Sequence, residues 1–461
     1  MTSDMKRRDF LRLGTGTLLS SAVLSALGGW ERTFAGTADT TGYKALVCLF
    51  MTGGNDGFNW IVPQTAAAHS VYATSRSNLA LDPTTLLNLT GTASDGNVYG
   101  MHPSCPELQS LFNTGKAAVL CNVGTLVQPT TPAQARAGSV PIPPQLFSHI
   151  DQAVQWQTSI PNSPKRYGWA GRVADLYASQ GVSSQLAMNI DIGGSNYLQV
   201  GQSTNPYALG TNGASIMDDT TNGSYRSGLR AQTASALLSQ AGNDPNLMVQ
   251  QYARVQVNAA QKVVLVNNAY SAAGDLTTTF PSLDQDNQLG LQLHQVARMI
   301  KARSQIGDAR QIFFVNIGGF DTHQTQLTAQ AQLLKIVSEN INAFWTAMGE
   351  LGTQTNVTLF TASDFGRSLG SNGSGADHAW GNHHLIVGGA VQGGKYYGTM
   401  PSLQIGGSDD FGPSVGQIVP TTSTDQYAAT LAKWFGVAAA DLPGVFPNLS
   451  NFTTQTLGFM G

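Results

Sequence analysis

Four short segments carry the residue types that metal-assisted chemistry requires. They are Gly53-Gly54-Asn55-Asp56-Gly57, Gly318-Gly319-Phe320-Asp321-Thr322-His323, Ser363-Asp364-Phe365-Gly366-Arg367, and Asp377-His378-Ala379-Trp380-Gly381-Asn382-His383-His384. Together with Ser148-His149 they hold five of the eight histidines, at 149, 323, 378, 383 and 384. Carboxylate oxygen combined with imidazole nitrogen suits zinc, manganese or iron, whereas carboxylate with few histidines suits magnesium or calcium. A divalent ion held this way can activate a nucleophile or neutralise a developing oxyanion. The candidate ligands for one or two such ions (zinc, or magnesium, calcium or manganese) are Asp56, Asp321, His323, Asp364, Asp377, His378, His383 and His384.

Taken singly, each segment has a plainer reading. Asp56 could be a turn residue, since Asn and Asp tolerate the left-handed region. Asp364 could cap a following helix. His383 and His384, as neighbours on a strand, would point to opposite faces. Arg367 could pair with Asp364 or bind an anionic substrate group. Ser148, at the start of a helical pattern through Val154 and Trp156, sits where unpaired N–H groups could bind an oxyanion. Near a divalent ion its hydroxyl could act as a nucleophile. It could equally be an N-cap, with Asp151 completing the S-x-x-D pattern. Ser148, His149 and Arg367 are the candidate catalytic residues.

The elements that must position these groups alternate strand and helix. Ala45-Leu-Val-Cys-Leu-Phe-Met51 is a continuous apolar run closed by Gly53-Gly54, the pattern of a strand buried on both faces. A helix is expected over 106–114, a strand over 116–123, a helix over 286–302 and a strand over 311–317. A long amphipathic helix over 328–351 and strands over 357–362 and 385–391 complete the pattern. Such alternation gives an α/β fold with a mostly parallel sheet, whose ligands collect beyond the carboxyl ends of the strands. Residues 189–285 read as an irregular and helical insertion, Gly/Asn/Ser/Thr-rich to about 224 and helical over 227–273. Cys48 reads as a buried strand residue, and Cys105 and Cys121 could pair in an oxidising compartment.

Of 461 residues only 11% are charged, with a formal net charge of −3. That is less than half the roughly 25% of an ordinary domain. So few Lys and Arg exclude a general nucleic-acid binder. The N-terminus reads Lys6-Arg7-Arg8-Asp9-Phe10-Leu11-Arg12, then a weakly apolar run over 13–29 and small residues near 33–38. This is the layout of a twin-arginine (Tat) signal peptide over 1–38, which implies the Tat translocase as partner during export. Residues 39–461 then form a single periplasmic or secreted domain. No later segment reaches the ~18 apolar residues of a membrane span.

At these motifs the chain resembles a bacterial family labelled only as a domain of unknown function, number 1501, often Tat-exported. The resemblance rests on residues 50–57, Ser148-His149 with Trp156, Gly168-Trp169-Ala170-Gly171-Arg172, and Gly319–His323. It extends to Ser363–Arg367, Asp377–His384 and Asp425-Gln426-Tyr427-Ala428-Ala429-Thr430-Leu431. The family is thought to look like the alkaline phosphatase and sulfatase superfamily. That implies a three-layer α/β/α sandwich with metals at the strand ends. It also implies an exported hydrolase of phosphate or sulfate esters, acting on a small-molecule or glycan ester. Asp56, Ser148, Asp321 with His323, Asp364, and His378 or His383 follow the superfamily's order of motifs. Phe365 stands where alkaline phosphatases have His. Ser148 and Cys105 lack the Pro and Arg that formylglycine formation requires. The alternative is a non-catalytic exported protein of the same fold that binds glycan or an envelope partner.

Overall fold

The computed structural model describes residues 36–214, 227–281 and 288–461. Most of the expected signal, residues 1–35, lies outside the described residues, as do 215–226 and 282–287 of the expected insertion. The polypeptide at 36–38 is already part of the packing. Ala38 is buried, and the amide of Gly36 donates to the Asp441 carboxylate.

A nine-stranded sheet organises the described residues. In chain order its strands are β1 (Lys44–Met51), β2 (Ala117–Gly124), β3 (Asn189–Asp191), β4 (Tyr207–Ala208) and β5 (Arg310–Ile317). They continue with β6 (Val357–Ser363), β7 (Asn382–Gly388), β8 (Tyr396–Tyr397) and β9 (Thr422–Ser423). The spatial order is β8-β2-β7-β6-β1-β5-β3-β4, with β9 also on β2. β7 runs antiparallel to β2 and β6, and the other pairings are parallel. The fold is therefore the expected α/β one with a mostly parallel sheet.

The helices are α1 (Ala66–Arg76), α2 (Pro106–Asn113), α3 (His149–Thr158), α4 (Trp169–Ser179), α5 (Ser227–Ala241) and α6 (Leu247–Ala273). After them come α7 (Leu289–Lys301), α8 (Gln326–Glu350) and α9 (Thr424–Phe435). Side chains of β1 alternate with period two and feed two cores. Ala45, Val47, Leu49 and Met51 pack with α2, α6, α7 and α8. Leu46, Cys48 and Phe50 pack with α3, α4 and α9. This gives three layers, α/β/α. The helical period places Leu289, Leu293, Val296 and Ile300 on one buried stripe of α7.

Two expectations change. The 385–391 strand begins instead at Asn382, because Asn382, His383 and His384 are buried along with the apolar run. Cys105 and Cys121 do not pair. All three thiols are free and buried, Cys105 beside the Leu334 carbonyl of α8 and Cys121 within β2, and burial pushes them up.

The register then sets the site. Met51 of β1 lies level with Ile317 of β5 and Ser363 of β6, so the loops that follow leave the sheet side by side. A hairpin of Arg367–Ser371 with Ala376–His378 sits beyond this edge and places Arg367 opposite His378. Gly53 and Gly54 adopt positive φ. A Cβ on Gly53 would come within 2.4 Å of the Asp321 amide, so only glycine lets the β1 and β5 loops approach this closely.

Candidate metal centre

Four side chains meet where these loops converge. His378 Nε2 lies 3.1 Å from His149 Nε2, 2.9 Å from His323 Nε2 and 3.3 Å from Asp321 Oδ1. Asp321 Oδ1 is 3.4 Å from His149 Nε2 and 3.2 Å from His323 Nε2. His149 comes from the first turn of α3, Asp321 and His323 from the loop after β5, and His378 from the hairpin.

Each imidazole is held by its other nitrogen. His149 Nδ1 is 2.6 Å from Asp364 Oδ2, His323 Nδ1 is 3.2 Å from Asp377 Oδ1, and His378 Nδ1 is 2.7 Å from the Phe147 carbonyl. All three partners are acceptors, so each Nδ1 carries the proton and donates. In a neutral ring that leaves the Nε2 lone pair directed into the cluster, the arrangement of metal-ligating histidines. The Asp364 hydrogen bond and charge raise the pKa of His149. Burial lowers that of His378. Burial would raise Asp321, but the Arg367 hydrogen bond and charge, with His149 and His323 nearby, bring it down to about 2. Asp321 is thus an ionised, half-exposed carboxylate facing imidazole nitrogens.

The geometry can be tested against an ion. Ligands at ~2.0–2.1 Å in tetrahedral geometry are separated by roughly 3.3–3.4 Å. The His149–Asp321–His378 triangle has edges of 3.1, 3.4 and 3.3 Å. The His323–Asp321–His378 triangle has edges of 2.9, 3.2 and 3.3 Å. The first is close to one face of such a sphere and the second is tighter, and the N/O donor set suits zinc or another first-row ion. Beside the cluster, buried Asp364 Oδ1 has no hydrogen-bond partner. The residues present fit a divalent ion.

Three expected ligands are placed elsewhere, each for a physical reason. The buried Asp56 carboxylate is bound by the Arg76 guanidinium, by Gln326 Nε2 at 2.5 Å and by the Asn59 amide at 3.2 Å. It therefore has a cation already. His383 and His384 lie within β7, fully buried, and burial lowers both to about 3. His383 Nδ1 accepts the Asn122 amide beside Phe58, and His384 packs edge-on to Trp156. They point to opposite faces of the sheet, away from the cluster. Asp364 and Asp377 contact the histidines rather than standing among the converging atoms.

Arg367 is also corrected as an anion holder. Its buried guanidinium donates Nε to Gly54 O at 2.9 Å and Nη1 to Ala376 O at 2.9 Å. Nη2 donates to Gly53 O, to Phe320 O at 3.1 Å and to Asp321 Oδ1 at 2.5 Å. Nη1 also lies 3.5 Å from His323 Nε2, so the guanidinium stitches the loops and the cluster together from a fully buried position. Ser148 is the N-cap residue of α3, but its hydroxyl donates to Asp151 Oδ2 at 2.6 Å instead of accepting from the helix. Sequence reasoning missed Arg76, Gln326 and the Phe147 carbonyl. The first two carry no motif signal, and the third depends on Phe147 adopting a φ of 70°.

The model of a family described as "Protein of unknown function (DUF1501)" matches residues 43–411, a span that includes every residue of the cluster. The chain belongs to this family. No curated protein matches its sequence. Among solved structures it is similar to the C-terminal periplasmic domain of EcEptC from Escherichia coli, in complex with Zn. That likeness has 9% identity and a TM-score of 0.31, and covers 76% of this chain and 75% of that one. It is also similar to the phosphonate monoester hydrolase of Agrobacterium radiobacter, with 10% identity, a TM-score of 0.33 and coverage of 87% and 77%. A third is BT1596, a 2-O GAG sulfatase, with 10% identity, a TM-score of 0.30 and coverage of 88% and 74%. Likenesses this loose do not carry those activities over to a member of the DUF1501 family.

Proposed function

We propose that this chain is a metal-dependent hydrolase of phosphate or sulfate esters, exported as one folded domain behind the 1–38 signal. The observation that carries the reading is the convergence of three imidazole Nε2 atoms on Asp321 Oδ1, each ring locked from behind by its Nδ1. A bound divalent ion would supply Lewis acidity and a more acidic water. His149, His378 and Asp321 would hold it and leave a position open for that water, with His323 beside them. Arg367 fixes Asp321 and the glycine loops, and Asp364, Asp377 and Phe147 fix the rings. Ser148 is the candidate nucleophile or orienting hydroxyl, with Asp151 positioned to accept its proton.

No helix among the described residues is long and apolar enough to cross a membrane. Export rests on the twin-arginine pattern, and loss of periplasmic protein on changing Arg7 and Arg8 to Lys is its test. The hydrolase reading is tested by metal analysis of the purified mature chain and a panel of phosphate and sulfate esters, using wild type and His378→Ala. We expect about one ion per chain and turnover that His378→Ala removes. A chain that binds no ion would sink the reading. The second reading, a glycan- or envelope-binding protein, is favoured by the occupied donors of Arg367. An ion retained without turnover would select it.

A further inference from the structure

The charge of the cluster constrains which ester it can take. Three carboxylates surround it. Asp321 and Asp377 are half exposed at the open side, with side chains 50% and 59% accessible, and Asp364 is buried behind His149. Among the described residues, Arg367 is the Lys or Arg whose charge acts most on His149, Asp321 and His378. Its side chain is fully buried, and its donors end on four backbone carbonyls, on Asp321 and, at 3.5 Å, on His323 Nε2. The other nearby cation, Arg76, is buried on the Asp56 carboxylate and backbone carbonyls of the hairpin. With neutral histidines, one divalent ion and Arg367 together balance the three carboxylates. No positive charge is left over, and the two most exposed groups of the cluster and its partners are the Asp321 and Asp377 carboxylates.

An anion bound here gains from the ion but is repelled by Asp321 and Asp377, and each further negative charge meets that repulsion again. Sites that hold dianionic phosphate supply guanidinium or ammonium donors to its oxygens. This one has none to offer among the described residues. Building on the hydrolase reading, we propose that the ester group accepted at this centre carries no more than one negative charge. That selects a phosphodiester or a sulfate ester and rejects a dianionic phosphomonoester.

The test uses binding as well as turnover. The zinc-loaded mature chain is titrated calorimetrically with phenylphosphonate and with its monomethyl ester, above the second ionisation of the former. These probes differ by one methyl group and one charge. The monoester should bind at least about tenfold more tightly, the effect of roughly 1.4 kcal/mol of added repulsion on the dianion. In parallel, aryl sulfate or aryl phosphodiester should turn over faster than aryl phosphate. Equal or tighter binding of the dianion to the loaded protein overturns the inference and leaves the metal-dependent hydrolase reading standing. A chain that takes up no zinc overturns both. A loaded chain that binds neither probe also overturns the inference and selects the non-catalytic reading.

Discussion

Asp364, Asp377 and the Phe147 carbonyl each hold a histidine by its Nδ1, and this fixes which nitrogen faces the cluster. Outer partners of metal-bound histidines typically contribute 10–100-fold in affinity. Asp364→Asn should therefore weaken zinc binding by about that factor in a chelator competition, with the fold retained by circular dichroism. The pH dependence has a defined sign. Asp364 raises the pKa of His149, so that ring is protonated over a wider acidic range, and an ion must displace its Nε2 proton. Zinc affinity should rise as pH increases through this titration, and Asp364→Asn should move the rise to lower pH. An unmoved profile would show that the contact does not set the tautomer. The residue types of the cluster were legible from Asp-x-His and Asp-His next to apolar runs. The tautomers were not, because one partner is a backbone carbonyl and the others lie 54 and 215 residues away.

At the scale of elements, strand ends were readable because apolar runs stopped at glycines, and the parallel register then made those ends neighbours. What could not be read was which acidic residue at an end faces a cation supplied by the protein. Asp56 joins the β1 loop to α1 through Arg76 and to α8 through Gln326 and Gln330, the last donating to the Asp56 carbonyl at 2.7 Å. Nothing in the helical pattern of α1 marks Arg76 as an inward residue, although it is fully buried. Removing one partner of a buried pair strands the other charge and costs about 3–5 kcal/mol. Asp56→Ala should lose stability of that order in urea unfolding, while the zinc content of the folded fraction stays that of wild type. Zinc lost at unchanged stability would return Asp56 to the ligand set.

Across the whole molecule, few charges are present, and several of them are buried with partners chosen by the fold. Arg310 donates to carbonyls of Asp39, Gly42 and Phe435, tying the start of the described chain to the end of α9. Asp425 is the contrasting case. It lies fully buried in the first turn of α9, and its Oδ1 has no partner. Burial, only partly offset by the Ser423 hydroxyl and the charge of Arg172, pushes its pKa up to about 7. The sign follows from proton counting. Between the unfolded value near 3.8 and about 7, the folded state holds a proton that the unfolded state has released. Folding stability should therefore fall as pH rises across that window, by a few kcal/mol at ~1.4 kcal/mol per unit, and level off above it. Asp425→Asn keeps the shape and removes the titration. Its stability in urea should lose this downward slope and exceed that of wild type above neutral pH, whereas parallel curves for the two proteins would place the ionised carboxylate in a better-solvated site than its burial indicates.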